Sequence, residues 1–201
     1  FQEGLPKQEM PHIILISGEK GLGKSRLLKE LKYFSQLNQI PVIASTATPH
    51  ENIDPWAMQL KDSLKEDCEG PLLFLLDDIT TFAEDSSERN HLLGHLTRWN
   101  YQYSNSSTPP RLIVLTAEPH EAWEQEPWSS LIDQTFHLTN FSLKELTEYM
   151  VSLTGLDNPP PELVNGIFER TTGNPLFVTL ILRSLIQNGA LFDPGGRWRA
   201  S

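Results

Sequence analysis

"GEKGLGKS", residues 18–25, stands between the apolar run "HIILIS" (12–17) and the helix-like "RLLKELKYF" (26–34). Gly18, Gly23, Lys24 and Ser25 occupy the fixed places of G-x-x-x-x-G-K-[ST], the spacing of a phosphate-binding loop. Glycines let the backbone curl so that successive N–H groups point inward at phosphate oxygens, and the helix that follows presents its positive end. Lys24 then reaches the β- and γ-phosphates, and the Ser25 hydroxyl can ligate Mg²⁺. A chance glycine turn would meet the pattern, but not also the buried strand before it and the amphipathic helix after it. The nucleotide-binding candidates are Gly18, Glu19, Lys20, Gly21, Leu22, Gly23, Lys24, Ser25 and Arg26.

A phosphate cradle needs a carboxylate to orient its metal, and "PLLFLLDD" (71–78) supplies one at the end of an apolar run. Asp77 is the candidate that holds Mg²⁺ through its water shell, and Asp78 the candidate that polarises an attacking water. Asp78 is a short side chain for that reach. The plain alternative for Asp77, a turn aspartate after a strand, loses force beside a phosphate loop.

Five apolar runs of strand length, 12–17, 41–46, 72–77, 111–116 and more weakly 134–138, are nearly continuous rather than alternating. That pattern belongs to strands buried on both faces of a parallel sheet. Between them Leu27, Leu28, Leu31 and Leu37, then Trp56, Leu60 and Leu64, then Leu92, Leu93, Leu96 and Trp99 recur at helical spacing. Strand and helix in alternation predict right-handed crossovers and an α/β three-layer sandwich. After residue 140 the strands stop. Ser142 and Glu145 form a capping box with Phe141 as its staple residue, opening a helix with Leu143, Leu146, Tyr149, Met150 and Leu153 on its apolar side. "GLDNPPP" ends it, and two helices follow, 162–170 and 175–188. The predicted organisation is a nucleotide-binding core over 1–140, a helical lid over 141–190, and the start of a following segment over 191–201.

Composition narrows the class. The 201 residues are 38% hydrophobic and 21% charged, and no run approaches the length of a membrane helix. This predicts a soluble piece cut from a longer chain. The lone cysteine, Cys68, predicts no internal disulfide and a reducing, cytoplasmic compartment. With 16 Lys+Arg against 26 Asp+Glu, a net charge of −10 disfavours direct nucleic-acid binding. His91, His95, His120 and His137 have no metal-binding spacing, and Trp56 and Trp99 lie on predicted helix faces as core residues.

"GEKGLGKSRLLKEL", "LLFLLDDITTFAED" and "ERTTGNPLFVTLILRSLIQNGAL" together resemble the ATPase module of STAND proteins, relatives of the AAA+ ATPases within the P-loop NTPase (ASCE) class. Such modules occur in LuxR-type regulators, some adenylate cyclases and some kinase-linked proteins. The resemblance spans about residues 12–192 and implies ATP/ADP and Mg²⁺ as cofactors. It makes "GNP" (173–175) the family's GxP motif, with Pro175 packed near the adenine. Local physics also explains those residues: Asn174 as N-cap and Pro175 at N1 suit any helix start. Two departures stand out. Glu118 occupies the place, after the fourth strand, where the family commonly has an arginine that touches the γ-phosphate. The Gly-Arg box ahead of the first strand is missing.

The function this implies is a slowly hydrolysing signalling ATPase that switches conformation with its nucleotide, with Lys24 and Asp78 catalytic and Ser25 and Asp77 holding the metal. Its expected partners are ATP or ADP, flanking domains of a parent chain and further copies of itself, with neither nucleic acid nor membrane. A catalytically weak scaffold and a small-molecule kinase are the alternatives. Only Arg170 and Arg183 in the lid region could serve a kinase, and neither belongs to an arginine cluster.

Overall fold

A computed structural model describes residues 12–47, 54–63, 70–82, 87–104, 109–155 and 157–191. Leu64, Cys68, the stretch ahead of residue 12 and nearly all of 191–201 lie outside them. The chain forms two compact units, Phe1–Gly18 with Lys24–His137, and Glu19–Gly23 with Leu138–Ser201.

The first unit is a five-stranded parallel sheet. Its strands are β1 (Ile13–Ser17), β2 (Val42–Thr46), β3 (Leu72–Asp77), β4 (Arg111–Ala117) and β5 (Gln134–His137), in the spatial order β2-β3-β4-β1-β5. β4 therefore lies between β1 and β3, with Ile13 opposite Ile113 on one side and Leu72 opposite Arg111 on the other. Helix α1 (Lys24–Leu37) carries the chain from β1 to the far strand β2, whereas α2 (Asp54–Asp62) and α3 (Ser87–Ser104) carry it back. Right-handed crossovers running in opposite directions place α1 on one face of the sheet and α2 and α3 on the other.

Side-chain parity matches that division. Ile13, Leu15, Phe74, Leu76, Ile113 and Leu115 pack with Trp56, Leu60, Leu92, Leu96 and Trp99 of α2 and α3. The alternate residues, among them Leu73, Leu75 and Val114, point to the other face, where α1 buries Leu28. The tryptophans are core, as their helical spacing predicts. One expectation needs correction: the buried stripe of α1 is Lys24, Leu28 and Ser35, while Leu27 and Leu37 are 43% and 84% exposed. The helix is turned so that the 24/28/35 face meets the sheet, and Leu37 ends it.

In the second unit α4 (Leu143–Thr154), α5 (Pro161–Thr171) and α6 (Pro175–Gln187) enclose Leu146, Met150, Val164, Ile167, Val178 and Leu182. The capping box forms: Ser142 N–H and Oγ–H each donate to Glu145 Oε2 at 2.8 Å, and Glu145 N–H donates to Ser142 Oγ at 3.2 Å. Phe141 packs against this core and stacks on Tyr149. Leu143 and Leu153 are 42% and 51% exposed, so the buried face of α4 is narrower than its sequence pattern. Gly155, at φ 69°, closes α4 in the left-handed conformation that glycine adopts without strain.

Candidate functional site

The site residues of the first unit gather at the carboxyl ends of β1, β3 and β4, the edge at which parallel α/β sheets bind ligands. Gly18 directly follows β1, and its N–H donates to the Ala117 carbonyl at 3.2 Å, fixing the start of the loop to the end of β4. Lys24 and Ser25 form the first turn of α1. Lys24 is 9% exposed, and its Nζ donates to the Gly18 carbonyl at 2.5 Å. Ser25 and Arg26 are exposed, and Arg26 pairs with Glu30 along the helix at 2.7 Å. Such an exposed pair contributes little to stability.

Parity places Asp77. Two residues beyond Leu75, it lies on the α1 face, the face on which Lys24 and Ser25 begin their helix. Thr116 is on the same face of β4 and is fully buried. Its hydroxyl donates to Asp77 Oδ1 at 2.5 Å and accepts from the Asp78 N–H at 2.7 Å. One hydroxyl thus fixes the rotamer of Asp77 and the backbone of Asp78. Among the described residues Oδ2 of Asp77 makes no hydrogen bond, which leaves it for a metal or a metal-bound water. Asp77 also borders a cleft of about 290 Å³ that Lys29 and Lys32 line, so the local field is more favourable to anions than the net charge suggests. A larger apolar groove of about 520 Å³ opens at the opposite ends of the strands, beside Leu72 and Leu112, away from this chemistry.

Asp78 has φ 59° and ψ 54°, a left-handed backbone that costs an aspartate about 1 kcal/mol or more. The surroundings hold it there. Its carbonyl accepts from Thr81 N–H at 3.2 Å and Thr81 Oγ–H at 2.9 Å, and the same hydroxyl reaches the Ala47 carbonyl at 2.9 Å. Thr80 Oγ accepts the Glu118 N–H at 2.6 Å, and the Glu118 carbonyl accepts from Trp123 Nε1 at 3.0 Å. Glu118 is therefore pinned through its main chain at the end of β4, without a cationic side chain to offer. Arg111, at the other end of β4, is 2% exposed and donates to the carbonyls of Ser63 and Gly70.

The rest of the loop, Glu19–Gly23, belongs to the second unit. Gly21 and Gly23 have φ of 88° and 93°, a region that glycine enters without strain. Leu22 N–H donates to the Glu19 carbonyl at 3.4 Å. Asn174 caps α6, its side chain accepting from Leu176 and Phe177, and Pro175 occupies the first helical position, half-buried.

The residues suit a nucleotide-bound Mg²⁺. Among the described residues no three His, Cys, Asp or Glu side chains gather into a cation cage. A metal here would take one hydroxyl from Ser25, water oriented by Asp77, and phosphate oxygens for the remainder, which is the usual mode of Mg²⁺.

Sequence reasoning named Lys24, Ser25, Asp77 and Asp78 as candidates, and did not name Thr116, Thr80 or Thr81, whose hydroxyls the structure places beside them or beside Glu118. A signal for Thr116 was present: a hydroxyl residue closes "RLIVLT" at a position whose parity faces inward.

The five-stranded parallel sheet in the order β2-β3-β4-β1-β5 is a P-loop NTPase type of α/β fold, and solved structures share it. A chain in the E. coli MS115-1 HORMA:CdnC:Trip13 complex superposes with a TM-score of 0.63 at 15% identity, over 89% of this chain and 68% of that one. A point mutant of Thermotoga maritima RuvB gives 0.61 at 15% identity, over 89% and 56%. AMPPCP-bound DnaA from Aquifex aeolicus gives 0.59 at 17% identity, over 90% and 57%. The chain thus spans little more than half of the RuvB and DnaA chains. No protein-family model and no curated protein sequence matches it. Among the described residues no helix is long and apolar enough to cross a membrane.

Proposed function

We propose that the protein binds ATP with Mg²⁺ on the loop 18–25, hydrolyses it slowly, and serves as a nucleotide-dependent switch within a larger multidomain regulator. The observation that carries the reading is the placement of β4 between β1 and β3, which puts Thr116 and Asp77 on the face where Lys24 and Ser25 start α1. In this reading Lys24 neutralises phosphate charge, and Ser25 and Asp77 hold Mg²⁺ and its water. The metal withdraws charge from the phosphate oxygens when it is bound. Asp78, fixed by Thr116 and Thr81, orients the attacking water as general base.

Slow turnover follows from two residues. Asp78 is a short base, and Glu118 brings no positive charge to the γ-phosphate, where a cation supplies much of the rate in phosphoryl transfer. The adenine contact of Pro175 and the coupling of nucleotide to flanking domains or to further copies of the chain rest on the STAND resemblance.

Calorimetry of MgATP binding tests the reading. Lys24→Ala removes a charge-assisted contact of about 2 to 3 kcal/mol, an affinity loss of about 30- to 150-fold, and should leave the fold intact. Equal affinity in both proteins refutes the assignment of the loop.

A further inference from the structure

Asn174 does more than cap α6. We infer that it is a positioning residue for phosphate binding, whose amide holds residues 19–23 in their receiving shape and so makes phosphate occupancy felt at the start of α6. The inference rests on the phosphate-loop reading of residues 18–25.

Asn174 Nδ2 donates to the Lys20 carbonyl at 3.2 Å, while its Oδ1 accepts from Leu176 N–H at 3.0 Å and Phe177 N–H at 3.4 Å. Leu176 N–H also reaches the Gly21 carbonyl at 3.1 Å. Two consecutive loop carbonyls are thus taken up by the first turn of α6, within one compact unit.

A trans peptide points its N–H opposite to its carbonyl. Turning the Lys20 carbonyl toward α6 therefore turns the Gly21 N–H away from it, while the Leu22 N–H is taken by the Glu19 carbonyl inside the loop. A backbone N–H such as that of Gly21 is a donor of the kind that a phosphate cradle requires, and a donor aligned before the ligand arrives needs no reorganisation on binding. An anion bound to the Gly21 N–H polarises the Lys20–Gly21 peptide and strengthens the Lys20 carbonyl as the acceptor for Asn174. Linkage makes the effect mutual: what loosens the start of α6 weakens phosphate, and phosphate tightens the start of α6.

Gly21 carries an independent mark of this contact. A Cβ at residue 21 would stand 2.8 Å from Asn174 Oδ1 and 3.0 Å from Leu176 Cβ, on a backbone of φ 88°. The G-x-x-x-x-G-K-[ST] spacing leaves that position open to any residue, and both the φ of 88° and the nearness of Asn174 and Leu176 favour glycine there.

Two variants of the whole chain separate the clamp from the cap. Asn174→Ser keeps an oxygen that can cap α6 but is too short for the Lys20 carbonyl, and Asn174→Asp keeps the cap while setting carboxylate oxygens against that carbonyl. Amide hydrogen exchange across 20–25 without nucleotide, urea unfolding, and calorimetry with MgATP and with inorganic tripolyphosphate are compared with wild type. In Asn174→Ser the loop should exchange faster and both ligands should bind about 3- to 10-fold more weakly, the loss for one hydrogen bond, with the urea midpoint nearly unchanged. Asn174→Asp should lose more. Unchanged exchange in Asn174→Ser overturns the clamp, and faster exchange with unchanged affinity overturns its role in phosphate binding. Wild type that binds neither ligand refutes the phosphate reading and the inference with it, and the exchange result distinguishes that failure from a failure of the clamp.

Discussion

Replacing Thr116 by valine removes one hydroxyl and keeps the shape. Thr116 is fully buried and its hydroxyl makes two hydrogen bonds, one to the Asp77 carboxylate and one from the Asp78 N–H. A bond to a charged partner contributes about 1.5 to 3 kcal/mol and one between neutral groups about 0.5 to 1.5. The loss is therefore about 2 to 4.5 kcal/mol at most. The new methyl recovers about 0.8 kcal/mol through apolar burial. Asp77 is only half-buried, so water replaces part of its missing partner. A net cost of about 1 to 2.5 kcal/mol remains, or roughly 2 to 10 °C in Tm for a chain of this size. Asp77 also loses its orientation, and removing such a supporting partner typically weakens metal binding or activity by about 10- to 100-fold. Urea unfolding and a Mg²⁺ titration of ATP affinity measure the two effects, with Thr116→Ser as a control that keeps the hydroxyl. If Thr116→Val matched Thr116→Ser in both, the Thr116 hydroxyl would not organise the site.

Glu118→Arg restores a cation at the end of β4 and should raise ATP affinity or turnover; no gain in calorimetry or phosphate release would mean that residue 118 faces away from the phosphates. The hydrogen bonds from Ser142, backbone first and hydroxyl second, hold the Glu145 carboxyl below the usual glutamate value. A lowered folded pKa stabilises α4 fully above the unfolded value of about 4.3, and the benefit fades as pH falls through the folded value. Glu145→Gln should therefore be less stable than wild type at pH 6, and the difference should shrink as pH drops below about 4; a gap that did not change with pH would contradict the titrating capping box.

How far the sequence carried this reading differs between elements. The strands were visible because burial on both faces leaves an unbroken apolar run, and "LLFLLD" matches β3 residue for residue. The capping box and the start of α6 were visible because their chemistry lies within four residues. Strand order was not, since the pairing of Ile13 with Ile113 joins positions with no local signal in common. Thr116 stayed hidden for the same reason: its partners are 38 and 39 residues away. The clamp of Asn174 on Lys20, across 154 residues, is further still beyond local inference. Periodicity also counted Leu37 into an apolar stripe although nothing in the described structure covers it.

The central position of β4 also bears on how the protein comes into being. The ladder partners of β1 are Ile113–Ala117 and Gln134–His137, so the strand that leads into the phosphate loop has no neighbour in the sheet until those residues have been made. β2 and β3, by contrast, can pair as soon as residue 77 has been synthesised. Contacts between such distant residues close late and slow folding. During synthesis the nascent chain therefore holds an apolar strand with both edges open until β4 arrives between β1 and β3 and joins them, and β5 then covers the other edge of β1.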